Sequence, residues 1–169
     1  MATLIEYSPG QFFDKDILEM YLSKGLSFGM GRTGGYVCVE AAICLSLGLP
    51  INDKPPCVDP ILIGLKIELN DQKGWGTAKA RGEGMRRLAY AQLGTRDVLD
   101  FKKFSKDLND LVKIRFGFNC YDTFYMLWRV RDLKGTGMNV QQRLAVFAEL
   151  AVEALGKQGF TPEKNGYIE

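Results

Sequence analysis

The chain has 169 residues, 46% hydrophobic and 25% charged, with a net charge of +2. That is ordinary globular usage in a length that buries a core without disulfide or metal support, so disorder is excluded. There is no histidine, which excludes Cys–His and Ser–His nucleophilic machinery within this polypeptide.

In chain order, Ser8-Pro9 reads as a helix cap with proline in the first turn, followed by Phe13, Ile17, Met20 and Tyr21 at helical spacing up to Gly25. A glycine-rich loop, Gly25 to Gly35, leads into Tyr36–Leu45, apolar nearly all round and therefore a buried helix. After a proline-rich loop over 51–60, Asp59-Pro60 reads as a second cap. The next stretch, 61–69, alternates as a minor strand would, yet Leu62, Leu65, Lys66 and Leu69 also fit a helix, and the cap favours helix. Helical patterns follow over Thr77–Leu93, around Phe101–Val112, over 119–131, and from Asn139, where Gln142 completes a capping box ahead of Val140, Leu144, Phe147, Leu150, Ala151 and Leu155. The expectation is an all-α (mainly helical) bundle of six or seven helices forming one domain over 1–160, with a loose tail at 161–169.

The most apolar run, Tyr36 to Pro50, contains Glu40 and is too short to span a bilayer, and Met1–Glu6 lacks the pattern of a signal peptide. No membrane association is expected, and the expected location is the cytoplasm, of the host if the gene is viral. Cys38, Cys44, Cys57 and Cys120 form no C-x-x-C pair, so they read as buried free thiols, with no metal and no cofactor.

Charge is uneven along the chain. Residues 1–78 carry 6 basic and 9 acidic residues, 79–134 carry 13 and 7, and 135–169 carry 3 and 4. A basic middle suits an acidic partner or a phosphate backbone, with Lys79, Arg86, Arg87, Lys102 and Lys106 as candidate contacts. Helical spacing of Lys103 with Asp107 and Lys106 with Asp110 gives the plainer reading of a solvated, locally neutral face.

Gly29-Met30-Gly31-Arg32-Thr33-Gly34 matches G-x-G-x-x-G literally, but a dinucleotide site needs a strand before it and none is read there. The loop still opens onto a helix N-terminus, so Arg32, Thr33 and Gly34 are candidates for an anion or small-ligand pocket. Cys38 near that N-terminus is a candidate reactive thiol. Glu40, in the middle of an apolar segment, needs a partner, for which Arg32, Arg86 and Arg129 are the candidates, or else it is a perturbed acid. A pair such as Glu40 and Asp71 is a candidate for acid–base or metal work, while Asp59, the other carboxylate of interest, already has a capping explanation. Tyr121, Phe124, Tyr125 and Trp128 read as core at helical spacing, with a stacking platform as the alternative. Trp75, between two glycines, either covers the core or anchors a partner.

Four segments, Gly34-Gly35-Tyr36-Val37-Cys38-Val39-Glu40-Ala41-Ala42, Pro55-Pro56-Cys57-Val58-Asp59-Pro60, Asn70-Asp71 and Leu93-Gly94-Thr95, together resemble a family of uncharacterised bacterial and phage proteins. The resemblance covers residues 34–95 and brings no established activity. It implies a common folding unit, a bacterial or phage source, and, in its sharpest form, a phage-encoded inhibitor of a host defence complex. The sequence therefore favours a small helical protein that acts by binding another macromolecule, with a protein as partner. The alternatives are a small-ligand binder or enzyme built on Arg32, Glu40 and Asp71, and a nucleic-acid binder using 79–134.

Overall fold

The computed structural model describes residues 2–169. They form a mainly α-helical bundle of seven helices with a single two-stranded antiparallel hairpin, β1 (Leu4–Ser8) and β2 (Gln11–Asp14). No helix among them is long and apolar enough to cross a membrane.

The hairpin replaces the first predicted helical turn. Gly10, at φ +73°, supplies the left-handed residue of the Ser8–Gln11 reversal, so Ser8-Pro9 belongs to a β-turn and not to a helix start. Asp14 is the true cap of α1 (Lys15–Lys24), accepting from the backbone of Asp16 and Ile17. Phe13 lies in β2 and is still buried. The segment 61–69 that alternates in sequence is helical, inside α3 (Pro60–Asn70). Asp59 caps it through the backbone N–H groups of Ile61 and Leu62, so the cap decides what the periodicity left open.

The buried helix α2 (Val39–Ser46) starts three residues later than the apolar run that announces it, and seven of its eight residues are buried. α4 (Ala78–Ala91), capped by Thr77, α5 (Phe101–Phe116), capped by Asp100, α6 (Thr123–Asp132), capped by Asp122, and α7 (Val140–Gly156) complete the bundle. The capping box of α7 forms in both directions, Gln142 N–H to Asn139 Oδ1 at 2.8 Å and Asn139 N–H to Gln142 Oε1 at 2.9 Å. α7 packs against α4, α5 and α6, while α1 packs on α2 and α4. Leu144, Phe147, Ala148, Ala151 and Leu155 carry the core of the α7 side.

Residues 161–169, expected as a loose tail, are docked. A 3-10 turn, Glu163–Asn165, places Asn165 in the interior, 3% exposed, where its Nδ2 donates to the Tyr90 carbonyl at 2.7 Å. Lys15 Nζ donates to Gly166 O at 2.6 Å, and the Tyr167 ring meets Tyr90 edge-on at 5.4 Å. The segment is polar in sequence because it closes the bundle with hydrogen bonds more than with apolar bulk. Asn165→Ala is expected to destabilise the fold by about 1–3 kcal/mol, because it removes a buried donor that serves the Tyr90 and Leu93 carbonyls. Urea denaturation of the variant against wild type measures it.

Candidate functional site

The strongest sequence candidate, Glu40, sits in the first turn of α2 and is fully buried. Its partner is Lys66 from α3, also fully buried, with Nζ 2.7 Å from Glu40 Oε1; Gln92 after α4 donates its Nε2 to the same oxygen at 2.9 Å. None of Arg32, Arg86 and Arg129 makes this contact, which corrects the expected pairing. The signal was present in the sequence: Lys66 lies on the apolar stripe Leu62, Leu65, Leu69, where a cation has to be answered from across the core. Burial pulls the Lys66 pKa down and the adjoining carboxylate opposes that pull.

The four motif segments meet around this pair. Asn70 accepts from Val39 N–H at 3.0 Å and donates to Ser27 O at 2.9 Å. Asp71 accepts from Gly29 N–H at 2.8 Å. Thr95 Oγ1 donates to Gln92 O at 2.8 Å and accepts from Asp59 N–H at 2.9 Å, while the Cys57 carbonyl accepts from Gly94 and Arg96. Glu40, Asn70, Asp71 and Thr95 thus tie α2, α3, the proline loop and the end of α4 into one polar knot within the core. A carboxylate with no exposed surface cannot reach a substrate, so the knot acts on the fold.

The glycine loop fits the same account. Leu26 pairs with Val37, and Gly31 lies so close to Tyr36 that a Cβ there would stand 2.0 Å from its carbonyl oxygen. No strand leads into this loop from α1. Arg32, Thr33 and Gly34 are exposed, Asp71 is half-buried against the loop, and Glu40 is sealed, so the three residues of the enzyme reading are not assembled. Cys38 caps α2, its Sγ accepting from Ala41 N–H at 3.4 Å, and burial pushes its thiol up to about 11, away from a reactive thiolate. Burial likewise raises Cys57 to about 11 and Cys44 to about 12, with Glu40 adding to all three.

Trp75 is fully buried, its indole N–H donating to Leu69 O at 2.8 Å, and it covers the core without presenting itself to a partner. Gly84 makes room for it: a Cβ there would stand 2.2 Å from the indole ring. Arg86 pairs with Glu19 and Glu83, and Arg87 pairs with Glu149 and Glu163, so these two cations are already answered within the chain. Lys79 is exposed on the first turn of α4, and Lys102 and Lys106 are exposed on α5.

The aromatic segment departs furthest from expectation. The buried face of α6 is Thr123, Met126, Leu127 and Val130, while Tyr121, Tyr125 and Trp128 are 85%, 54% and 41% exposed. Both sets obey helical spacing, and aromatic bulk suggested the wrong one as core. Only Phe124 is half-buried, over Gly64 of α3. The Tyr125 and Trp128 rings meet edge-on at 6.4 Å, and the Arg129 guanidinium stacks over Phe118 at 4.1 Å. Beside this face lies a groove of about 600 Å³ between α3, α5 and α6, with Lys102, Lys106 and Tyr121 on its walls. Residues 101–134 carry 8 basic and 4 acidic side chains, a balance of +4. No group of three or more Cys, Asp or Glu side chains among the described residues is placed to hold a metal ion.

No family model, curated protein or solved structure matches the chain.

Two measurements test the buried knot. Lys66→Met is expected to cost about 3–5 kcal/mol by stranding Glu40, and the double variant Glu40→Leu/Lys66→Met to recover most of it, since a well-packed apolar pair needs no partner. Alkaline pH tests the thiols. Their folded pKa values lie above the unfolded value of 9.0, so the unfolded chain loses protons first. Stability therefore holds below pH 9 and falls between pH 9 and about 11, by about 1.4 kcal/mol per pH unit for each thiol. Lys66, shifted down, acts in the opposite sense. Denaturation midpoints from pH 7 to 10.5 read the slope, which Cys44→Ala should reduce.

Proposed function

We propose that the protein works by binding another macromolecule through the outward face of α6, and that this partner is a protein with an acidic surface. One observation carries the reading: Tyr125 and Trp128 stand exposed on one face of α6, with Tyr121 exposed in the bend just before the helix. Tyr, Trp and Arg are the residues that dominate binding energy at protein interfaces, because they bring large contact area at low entropic cost. The positive balance of 101–134 selects acidic partners by steering and by rejecting basic ones. Inhibition of a host defence complex is the narrowest form of this reading, and identification of the captured partner is what reaches it.

A nucleic-acid reading has one observation in its favour, the same aromatics beside Lys102, Lys106 and Arg129. Against it, Lys106 lies 3.3 Å from Asp110 and Arg131 2.8 Å from Asp132, which dilutes the charge a phosphate backbone would meet.

Capture from a lysate of the cell that makes the protein distinguishes these readings. Wild type is expected to retain a stoichiometric protein, and Tyr125→Ala/Trp128→Ala to lose it by about tenfold or more in affinity, with stability changed by less than about 1 kcal/mol. Equal capture by the double variant contradicts the assignment to α6. Capture of nucleic acid, weakening steeply between low and moderate salt, favours the second reading.

A further inference from the structure

The groove between α3, α5 and α6 is one-sided in its chemistry. Lys102, Ser105, Lys106 and Asn109 follow one another at i, i+3, i+4 and i+7 along α5, and all four line it. Ile61, Phe101, Tyr121 and Phe124 form the apolar walls. Asn109, 3% exposed, also lines the groove, and its Oδ1 accepts from Cys120 N–H at 2.8 Å. The Ser105 and Thr123 hydroxyls share a single hydrogen bond of 2.5 Å, so one of their two protons is left to donate elsewhere. Lys102 forms no ion pair among the described residues, and Lys106 has only its exposed pairing with Asp110. Asp122 is the one acid on the wall, and its Oδ1 is engaged in capping Tyr125 N–H at 2.9 Å.

The groove therefore offers donors, two of them cationic, beside apolar walls. Two ammonium groups next to apolar bulk favour a ligand that brings a carboxylate beside an apolar group. At about 600 Å³ the space accommodates a bulky side chain together with its neighbouring backbone. Tyr121 lies on the groove wall and is exposed in the bend just before α6, so the groove adjoins the exposed aromatic face.

We propose that this groove is the specificity pocket of the interface, taking from the partner protein a large apolar side chain adjacent to a carboxylate. The apolar group enters between Ile61, Phe101 and Phe124, and the carboxylate is met by Lys102, Lys106 and the Asn109 amide. This rests on the protein-binding reading of α6 and adds the chemistry that reading lacks.

The test uses the full ¹⁵N-labelled chain and acetylated dipeptide amides Asp-Leu, Asp-Phe and Asp-Trp, each with its Asn counterpart. At least one acidic peptide is expected to shift the Asn109 side-chain amide and the Thr123 and Phe124 backbone amides saturably, with Kd in about the millimolar range. Its Asn counterpart, and the acidic peptide on Lys102→Met, should bind at least about fivefold more weakly. Absence of saturable shifts at these positions overturns the proposal. So does equal binding of the neutral peptide, no effect of Lys102→Met, or shifts produced only by a short oligothymidylate. Lys102 is exposed, so its replacement leaves the fold intact. Peptide shifts in the groove with partner capture surviving Tyr125→Ala/Trp128→Ala would leave the pocket standing and remove the α6 reading. The reverse pattern would remove the pocket alone.

Discussion

The rotation of α6 about its own axis is the constraint on which the exposed aromatic surface depends. With Met126, Leu127 and Val130 turned inward, Tyr125 and Trp128 have to face solvent, since each residue step turns a helix by about 100°. That rotation is held at both ends. At the N-terminal end the Asp122 cap and the Ser105–Thr123 hydroxyl bond fix the first turn to α5. At the other, the Arg143 side chain of α7, 8% exposed, donates to the carbonyls of Val130 at 2.9 Å and Arg131 at 2.6 Å. These are carbonyls that the end of a helix leaves without intrahelical donors. Through Arg143, α7 holds the end of α6 in register.

The polar knot around Glu40 plays the corresponding part on the other side of the fold. Lys66 and Gln92 both converge on Glu40 Oε1, leaving its Oε2 and the Gln92 Oε1 without partners. An arrangement of this kind contributes less net stability than an apolar core of equal volume, yet it tolerates no exchange of partners. It fixes how α2 meets α3 and how the glycine loop returns across both. The residues that look most chemical in the sequence, Glu40, Asp71 and Cys38, are thereby accounted for by folding.

Much of the architecture was legible because local rules and tertiary packing agree. Asp59-Pro60 marked α3, Asn139 and Gln142 marked α7, and an apolar run broken only by Glu40 marked α2 as buried. The hairpin was missed because Ser8-Pro9 serves equally as a cap or a turn, and only Gly10 and Asp14 decide between them. The docked tail was missed because Asn165 acts through a hydrogen bond to Tyr90, which no periodicity announces. Of the basic residues that the charge clustering singled out, Lys102 and Lys106 are exposed, while Arg86 and Arg87 are answered by Glu83 on their own helix and by acids on α1, α7 and the tail, far away in sequence. Spacing alone could not say which of two helical stripes on α6 faces the core.

The two tryptophans offer the most direct check, because Trp75 is fully buried and Trp128 is 41% exposed. Iodide quenching at constant ionic strength is expected to separate the emission into an accessible and a protected component. Trp128→Phe should abolish the accessible one and leave the protected one unchanged. If both components resist iodide, or if the accessible emission survives Trp128→Phe, then α6 turns its aromatic face inward and the proposed surface does not exist.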